Sequence, residues 1–483
     1  MSDRMSTERE VRDLKGLIGD KNVFDDPEIL AAYAADDSFV KPRQPRMVVK
    51  ARTKEEVVKV VQYANEHKIA VTPRSSRVSF YGAGIPAQGG MIIDLTEMNR
   101  ILEIDDRARL VKVEPGVTTE QVQDELARHG LMMQLPLCSH PKKSVLTSAM
   151  EREPMLIPKD EHYETMVNVE IVLSSGEIFY TGTAGYKGFK MGAAQEFFIP
   201  STRLFVGAQG TFGIITESNL KVVHTPAMDK LLFIPFNKLE DVASPIRKIQ
   251  WRMMGNECLV LDALNFATII ADDDKDIAAL RDELPPWTLI FCSSAPARFP
   301  EEKIAYEEEA LREIGKEYDF DVRETLAGAP GLRRKLLPIL RKPWSKSTYW
   351  KYRYSGACTD LFFMAPIERI AEFTAAVDSI AADHAFPTGD IGRYFQPVYR
   401  GNAIYCHYSF NWCGGNGKDR ERMKSLFLDA SEKLISQGAF FSSLYGPWAD
   451  MMYRRTGKYA EVLKVVKDVF DPNHIMNPGK LCF

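Results

Sequence analysis

The chain has 483 residues, 45% of them hydrophobic, enough at about 100 to 200 residues per domain for two or three domains with buried cores. Its 62 Lys and Arg against 66 Asp and Glu leave a formal net charge of −4, so no basic excess points to nucleic acid or an anionic membrane surface. Apolar runs such as Leu231 to Phe236 fall far short of the roughly 20 residues of a membrane helix, and Met1 to Glu10 lacks the order of a secretory signal, so a cytoplasmic protein is expected.

In chain order, Glu55 to Ala64 spaces its apolar residues for one helical face, and Ile69 to Pro73 reads as a short buried strand. Strands follow at Met91 to Leu95, Ile101 to Ile104 and Leu110 to Glu114. Thr118 with Gln121 forms a capping box for a helix Glu120 to His129, which Gly130 stops. Val167 to Leu173 and Glu177 to Thr181 flank the turn Ser174-Ser175-Gly176, and Gly213 to Thr216 and Leu220 to Val223 add two strands. The first 225 or so residues therefore read as one α+β unit, with a boundary at Thr225-Pro226. Helices and strands then alternate at longer spacing to about residue 430. In this part, Glu301 to Glu309 reads as a solvated helix face, Met253 and Met254 as core, and Trp412 to Gly417 as a hairpin end. A last helix, Tyr459 to Phe470, stops at Asp471-Pro472, and the run Asn473 to Lys480 reads as docked.

Two loops carry chemistry. Arg74 to Gly84 follows a buried strand with small residues that let successive backbone N–H groups turn toward one phosphate or pyrophosphate, although an ordinary surface turn would use the same residues. Gly82, Gly84 and Ala87 satisfy a loose dinucleotide pattern, but Pro86 and Gly89-Gly90 prevent the helix that a nicotinamide site needs. Gly207 to Thr216 runs three glycines into a β-branched strand, where backbone can approach a flat ligand; a plain hairpin would look alike. The seven cysteines and eight histidines are dispersed without a metal-ligand spacing, so no metal site is expected.

Taken together, the serine- and glycine-rich loop, Ile92 to Leu95 with Met98 to Arg100, and Val113 to Val117 resemble the FAD-binding domain of the vanillyl-alcohol oxidase and 4-cresol methylhydroxylase family. Three stretches are similar to its phenol-oxidising branch: Ser144 to Arg152 running on to Pro158, Glu161 and His162; Arg77 to Pro86 with Tyr81; and Leu361 to Ile367. The Gly-Glu-His-Gly motif of the 2-hydroxy-acid branch is missing near Gly438 to Gly446. The resemblance implies two α+β subdomains around FAD and an α+β cap with an antiparallel sheet. The expected division is FAD domain 1–226, cap 227–439, and a tail 440–483 returning to the FAD domain. It also implies a cofactor site of Pro73, Arg74, Ser75, Ser76, Arg77, Val78, Ser79, Cys138, Ser139, Ser144, Thr147, Ser148, Glu151, Gly210, Gly213, Ile215, Asn477 and Lys480.

In that branch two tyrosines and an arginine hold the substrate as a phenolate, and an aspartate does proton work. Tyr81 matches the first tyrosine, the Tyr-Arg pair falls on Phe440 to Ser442 with Tyr445 nearest, and the aspartate falls on Ser139 beside His140. Ionising a phenol of pKa about 10 costs roughly 4 kcal/mol at pH 7, while one hydrogen bond to a charged group returns about 1.5 to 3. Tyr81 alone cannot hold a phenolate. Either Tyr445 or an arginine such as Arg353, Arg393 or Arg454 converges on it, or the substrate stays neutral. The candidate catalytic residues are thus Tyr81, Ser139, His140 and Tyr445. The flavin-linking histidine of covalent relatives falls on Ile404, or on Tyr405 with a slip of one, and non-covalent FAD is expected.

The expected activity is FAD-dependent hydride removal from a benzylic or carbinol carbon of a para-substituted phenol or aromatic alcohol. The rivals are a 2-hydroxy-acid dehydrogenase and a catalytically reduced FAD-binding subunit of a complex. A cytochrome, an electron-transfer flavoprotein, an iron-sulfur subunit or oxygen could each take the electrons, and family habit implies a homodimer.

Overall fold

The computed structural model describes residues 2–76, 78–157, 165–185, 201–414 and 417–483. The first sheet takes β1 (Val23–Phe24), β2 (Met47–Lys50), β3 (Val71–Arg74) and β4 (Met91–Asp94) in the order β1-β2-β4-β3, with β4 parallel to both β2 and β3. Val48, Val49, Val71, Ile92 and Ile93 are fully buried, as strands covered on both faces require. The helix Lys54–Glu66 links β2 to β3. Thr53 caps it by accepting from the Glu56 N–H, and it buries Val57, Val60, Val61 and Ala64 at helical spacing. The Arg74-to-Gly84 loop leaves the carboxyl end of β3, where open α/β sheets place their ligands.

Five longer strands build the second sheet: β5 (Ile101–Asp105), β6 (Leu110–Val113), then, past the short β7 (Leu131–Met132), β8 (Met166–Val172), β9 (Ile178–Tyr180) and β10 (Ile214–Lys221), ordered β5-β6-β10-β8-β9. The separate strand expected at Leu220 to Val223 is instead mostly the end of β10. Only β11 (Val223–His224) follows, paired with β7. The helix Thr119–Arg128 has the expected Thr118 cap, but the Gln121 amide donates to Asn99 O at 2.8 Å, so only half of the capping box forms.

The third sheet is antiparallel throughout: β12 (Met228–Phe236), β13 (Glu257–Asp262), β14 (Trp287–Ala295), β15 (Gly356–Ala365), β16 (Ile391–Val398) and β17 (Ala403–Cys413), ordered β12-β14-β13-β16-β17-β15. Alternation along β15 and β17 sorts their side chains. Phe363 and Tyr408 face the helical side, where Phe363 meets Phe373 at 5.1 Å. Phe362 faces the other way and meets Tyr81 at 5.4 Å. That second face lies over the Arg74-to-Gly84 loop.

Three local expectations are corrected. Past Cys413 the chain enters the helix Gly417–Ser436, so this stretch joins a strand to a helix and is no hairpin end. Met254 is core, but Met253 is 60% exposed. Within Glu301 to Glu309, Glu307 is buried, accepting from Ser293 and from Lys303 at 2.9 Å. The tail docks as expected: Val71 N–H donates to Ile475 O at 2.8 Å, and Asn477 N–H to Val71 O at 2.7 Å, extending the β3 edge. Among the described residues no helix is long and apolar enough to cross a membrane.

Candidate active site

A cleft runs between the first and second sheets. Pro73 to Ser76, Val78 and Ser79 form one wall, and Leu146, Thr147 and Met150 of the helix Val145–Met150 another. Gln209, Gly210 and Gly213 to Ile215 form a third. Gly210 has φ +74°, and a Cβ there would lie 2.4 Å from Pro73 Cγ, so only glycine lets these two walls meet. Ser144 caps the central helix by accepting from Thr147 N–H at 3.1 Å while its hydroxyl donates to Pro115 O at 2.6 Å. Ser75 and Thr147 hydroxyls hydrogen-bond across the cleft.

The loop is held from behind. Asp36 accepts from Ser79 Oγ at 2.8 Å and Gly82 N–H at 2.7 Å. Asn477 donates to Ala83 O and Gln209 O and accepts from Thr72. Lys480 donates to Gly82 O at 2.7 Å, and burial pushes its pKa down to about 8. Asn477 and Lys480 therefore position the walls without lining them.

A second pocket, lined by Phe80, Tyr81, Lys351, Asp360 and Trp448 among others, shares Tyr445 with the cleft. Tyr81 and Tyr445 ring centres are 5.3 Å apart, Phe362 lies 5.4 Å from Tyr81 and 4.9 Å from Trp448, so the four rings pack as one aromatic cluster beside this pocket. Burial, then the charges of Glu153 and Asp360, pushes Tyr81 well above its usual pKa; burial and then Glu151 do the same to Tyr445. Both phenols stay protonated.

Two buried lysines stand where an arginine was sought. Lys143 donates to Glu151 and, at 2.6 Å, to Glu153, and its ammonium lies 5.8 Å from the Phe80 and Tyr81 ring centres. Burial pushes Glu151 up, to about 7, against the pull of Lys143, while Glu153, which also accepts from Ser148 at 2.5 Å, is held below the usual range by Lys143 against its own burial. Lys351 donates to Asp360, which also accepts from His407 Nε2 at 2.8 Å and Ser409 Oγ at 3.2 Å. Burial would raise Asp360, but Lys351 and His407 hold it far below the carboxylate range. Each lysine is thus held by carboxylates, and among the described residues lining the pocket none offers a free positive charge to a phenolate.

Tyr81 and Tyr445 are brought together, and Pro73 to Ser76, Val78, Ser79, Thr147, Glu151, Gly210, Gly213 and Ile215 line the cleft; the remaining described sequence candidates do not. Cys138, at φ +51°, packs in the cap core, where burial raises its thiol, and Ser139 Oγ donates to Pro136 O at 3.0 Å; neither lines the cleft. His140 accepts from Lys142 N–H at 3.2 Å and sits 4.9 Å from the Tyr349 ring; burial and then Lys143 lower its pKa. Ser148 is turned to Glu153. The expected arginines are occupied elsewhere: Arg353 by Asp274 at 2.5 Å and the carbonyls of Thr268 and Ala271, Arg393 by Asp378 and Asp262, and Arg454 by Glu432. Phe441 packs 5.5 Å from Phe363 in the cap core. Arg77, Pro158, Glu161 and His162 lie outside the described residues. Ile404 is fully buried, in the cap core. Sequence reasoning missed Lys143, Glu153, Lys351, Asp360 and His407, and named Tyr405 only as a possible flavin link. The polar alternation Tyr405-x-His407-x-Ser409 within an apolar strand was the readable signal.

A family described as the FAD binding domain matches residues 45–182, and the C-terminal domain of FAD-linked oxidases matches residues 446–481. Glycolate oxidase subunit GlcD of Bacillus subtilis is 24% identical over 484 residues, covering 96% of this chain and 94% of that protein. The 4-cresol dehydrogenase [hydroxylating] flavoprotein subunit of Pseudomonas putida is 29% identical over 255 residues, 51% of this chain and 48% of that protein. The solved structure of p-cresol methylhydroxylase with substrate bound has the same fold, with TM-score 0.85 at 19% identity over 99% of this chain and 96% of that one. The cleft fits that cofactor in its small-residue loop and its close-packed glycine wall, and the chain is an FAD-dependent oxidase or dehydrogenase.

Proposed function

We propose that this enzyme oxidises the benzylic or carbinol carbon of a para-substituted phenol or related aromatic alcohol, bound as the neutral species. The observation that carries the reading is the pocket lined by the rings of Phe80, Tyr81, Tyr445 and Trp448, which shares Tyr445 with the cofactor cleft. A flat ring between such walls gains stacking and burial. FAD supplies the two-electron acceptor chemistry when bound. In this reading the Arg74-to-Ser79 loop holds the pyrophosphate, Thr147 and Glu151 face the inner part of the cofactor, and Gly210 to Ile215 lie along it. Tyr81 and Tyr445 hydrogen-bond the substrate oxygen. With Lys143 and Lys351 already paired, ionising the substrate gains nothing from them, so the family's phenolate mode gives way to a neutral phenol or aryl ether.

A second reading, oxidation of a 2-hydroxy acid, is favoured by the likeness to the glycolate oxidase subunit over 96% of the chain. It would need one of the two lysines to leave its carboxylates for that of the substrate. Steady-state kinetics of Tyr81→Phe and Tyr445→Phe with 4-hydroxybenzyl alcohol test the first reading. Each lost hydrogen bond is expected to lower kcat/KM roughly tenfold, and an unchanged value in both variants removes the pair from the site.

A further inference from the structure

With serine where relatives carry a carboxylate, the site lacks its expected proton acceptor, and the cap face supplies another. Asp360 and Phe362 of β15 and Tyr405 and His407 of β17 share the face that covers the pocket, as the cross-strand pairs Phe362 to His407 and Met364 to Tyr405 require. The Phe362 ring lies 5.4 Å from Tyr81, 5.6 Å from Tyr405 and 5.7 Å from His407.

The direction of the hydrogen bonds follows from what each group can do. Asp360, an anion, only accepts, so the 2.8 Å contact assigns the proton to His407 Nε2. Burial, which lowers His407 against the pull of Asp360, keeps the ring neutral. Its Nδ1 is then an acceptor, and the 3.1 Å contact makes Tyr405 the donor. Among the described residues the Tyr405 oxygen has no other hydrogen-bond partner, so its lone pairs are free to receive a proton. The other charged or titratable groups facing His407 are Lys351 beside Asp360, Glu153 from the cofactor side, and Tyr394 on β16, 6.0 Å away.

We infer that Tyr405, His407 and Asp360 form the proton relay for substrate oxidation, which rests on the carbinol-oxidation reading above. As the substrate C–H bond breaks and its hydrogen leaves with both electrons for FAD, the O–H proton passes to Tyr405 and the Tyr405 proton to His407 Nδ1. The carbonyl forms, and the imidazolium is held by Asp360 until it releases its proton to water. Tyr405 touches substrate; His407 and Asp360 act through it.

The test is anaerobic stopped-flow flavin bleaching by 4-hydroxybenzyl alcohol from about pH 5 to about pH 9 in the FAD-loaded wild type, Tyr405→Phe and His407→Gln. The wild-type rate should rise with pH through an apparent pKa below 6.5, as His407 becomes neutral, and should slow in D2O. Tyr405→Phe, which keeps the ring and its packing, should bleach roughly a hundredfold more slowly, without the acid limb or the solvent isotope effect. The Kd of 4-hydroxybenzaldehyde, read from the flavin spectrum, should move by less than about threefold. Unchanged rate and pH limb in Tyr405→Phe overturn the relay. Bleaching of the wild type by D-lactate alone would instead overturn the aromatic reading, and the same variants then test the relay on that carbinol. A flavin bleached by neither alcohol removes both.

Discussion

Lys143 is the residue whose removal the structure prices most clearly. Its side chain is 3% exposed and it is the shared cation of Glu151 and Glu153, themselves 5% and 21% exposed. Lys143→Met keeps the apolar stem and deletes the charge, leaving two carboxylates within the same buried site. Breaking a buried pair in this way costs about 3 to 5 kcal/mol. At roughly 2.1 cal/mol/K of unfolding entropy per residue, a chain of 483 residues converts this to a drop in Tm of about 3 to 5 °C. The loss should also depend on pH. The folded pKa of Glu151, about 7, lies above the ordinary 4.5 of a free glutamate, so the wild type sheds stability as pH rises through this window and no further above it. Without Lys143 the pair holds its proton to higher pH, so the gap between variant and wild type should widen by about 1.4 kcal/mol per pH unit above 7. Thermal unfolding of FAD-saturated protein at about pH 7 and pH 8.5 reads both effects. A shift below about 1 °C, or the same shift at both pH values, would refute the claim that Lys143 neutralises this site.

Three further outcomes follow from the cleft walls and the tail. Gly210→Ala places a Cβ 2.4 Å from Pro73 Cγ at φ +74°, and purified protein should retain less FAD, read from the ratio of flavin to protein absorbance; full retention would contradict the tight glycine wall. Lys467→Met removes the cation that donates to Asp471 and to Thr211 O at 2.5 Å and Met476 O at 2.8 Å. It should destabilise by about 3 to 5 kcal/mol and expose the tail to limited proteolysis, whereas a wild-type digest would show the clamp to be dispensable. Ile404 is packed in the cap core and Tyr405 is engaged by His407, so acid precipitation should leave the flavin in the supernatant; yellow, fluorescent precipitate would show a covalent link.

What could be read without coordinates was local and periodic. The Thr118 cap, the apolar runs of β3 and β4 and the glycines at 210 and 213 each announce themselves within a few residues. The strand end at Lys221 could not be read, because β10 continues through Thr216 to Ser218 only by pairing with β6 and β8. The pocket was half legible. Tyr81 was placed by its loop, but Lys143 with Glu151 and Glu153, and Lys351 with Asp360, pair through turns and strand ends that carry no periodic pattern, and each alone looks like a surface charge. The arginines proposed from sequence failed for the opposite reason: Arg353 and Arg393 are taken up by carboxylates and carbonyls inside the cap.

Anaerobic photometric titration of the FAD-loaded enzyme bears most directly on whether an aromatic alcohol is its substrate. 4-Hydroxybenzyl alcohol should bleach the flavin at one equivalent while glycolate and D-lactate leave it oxidised. Bleaching by either hydroxy acid, with none by the aromatic alcohol or by a 4-alkylphenol, would contradict it.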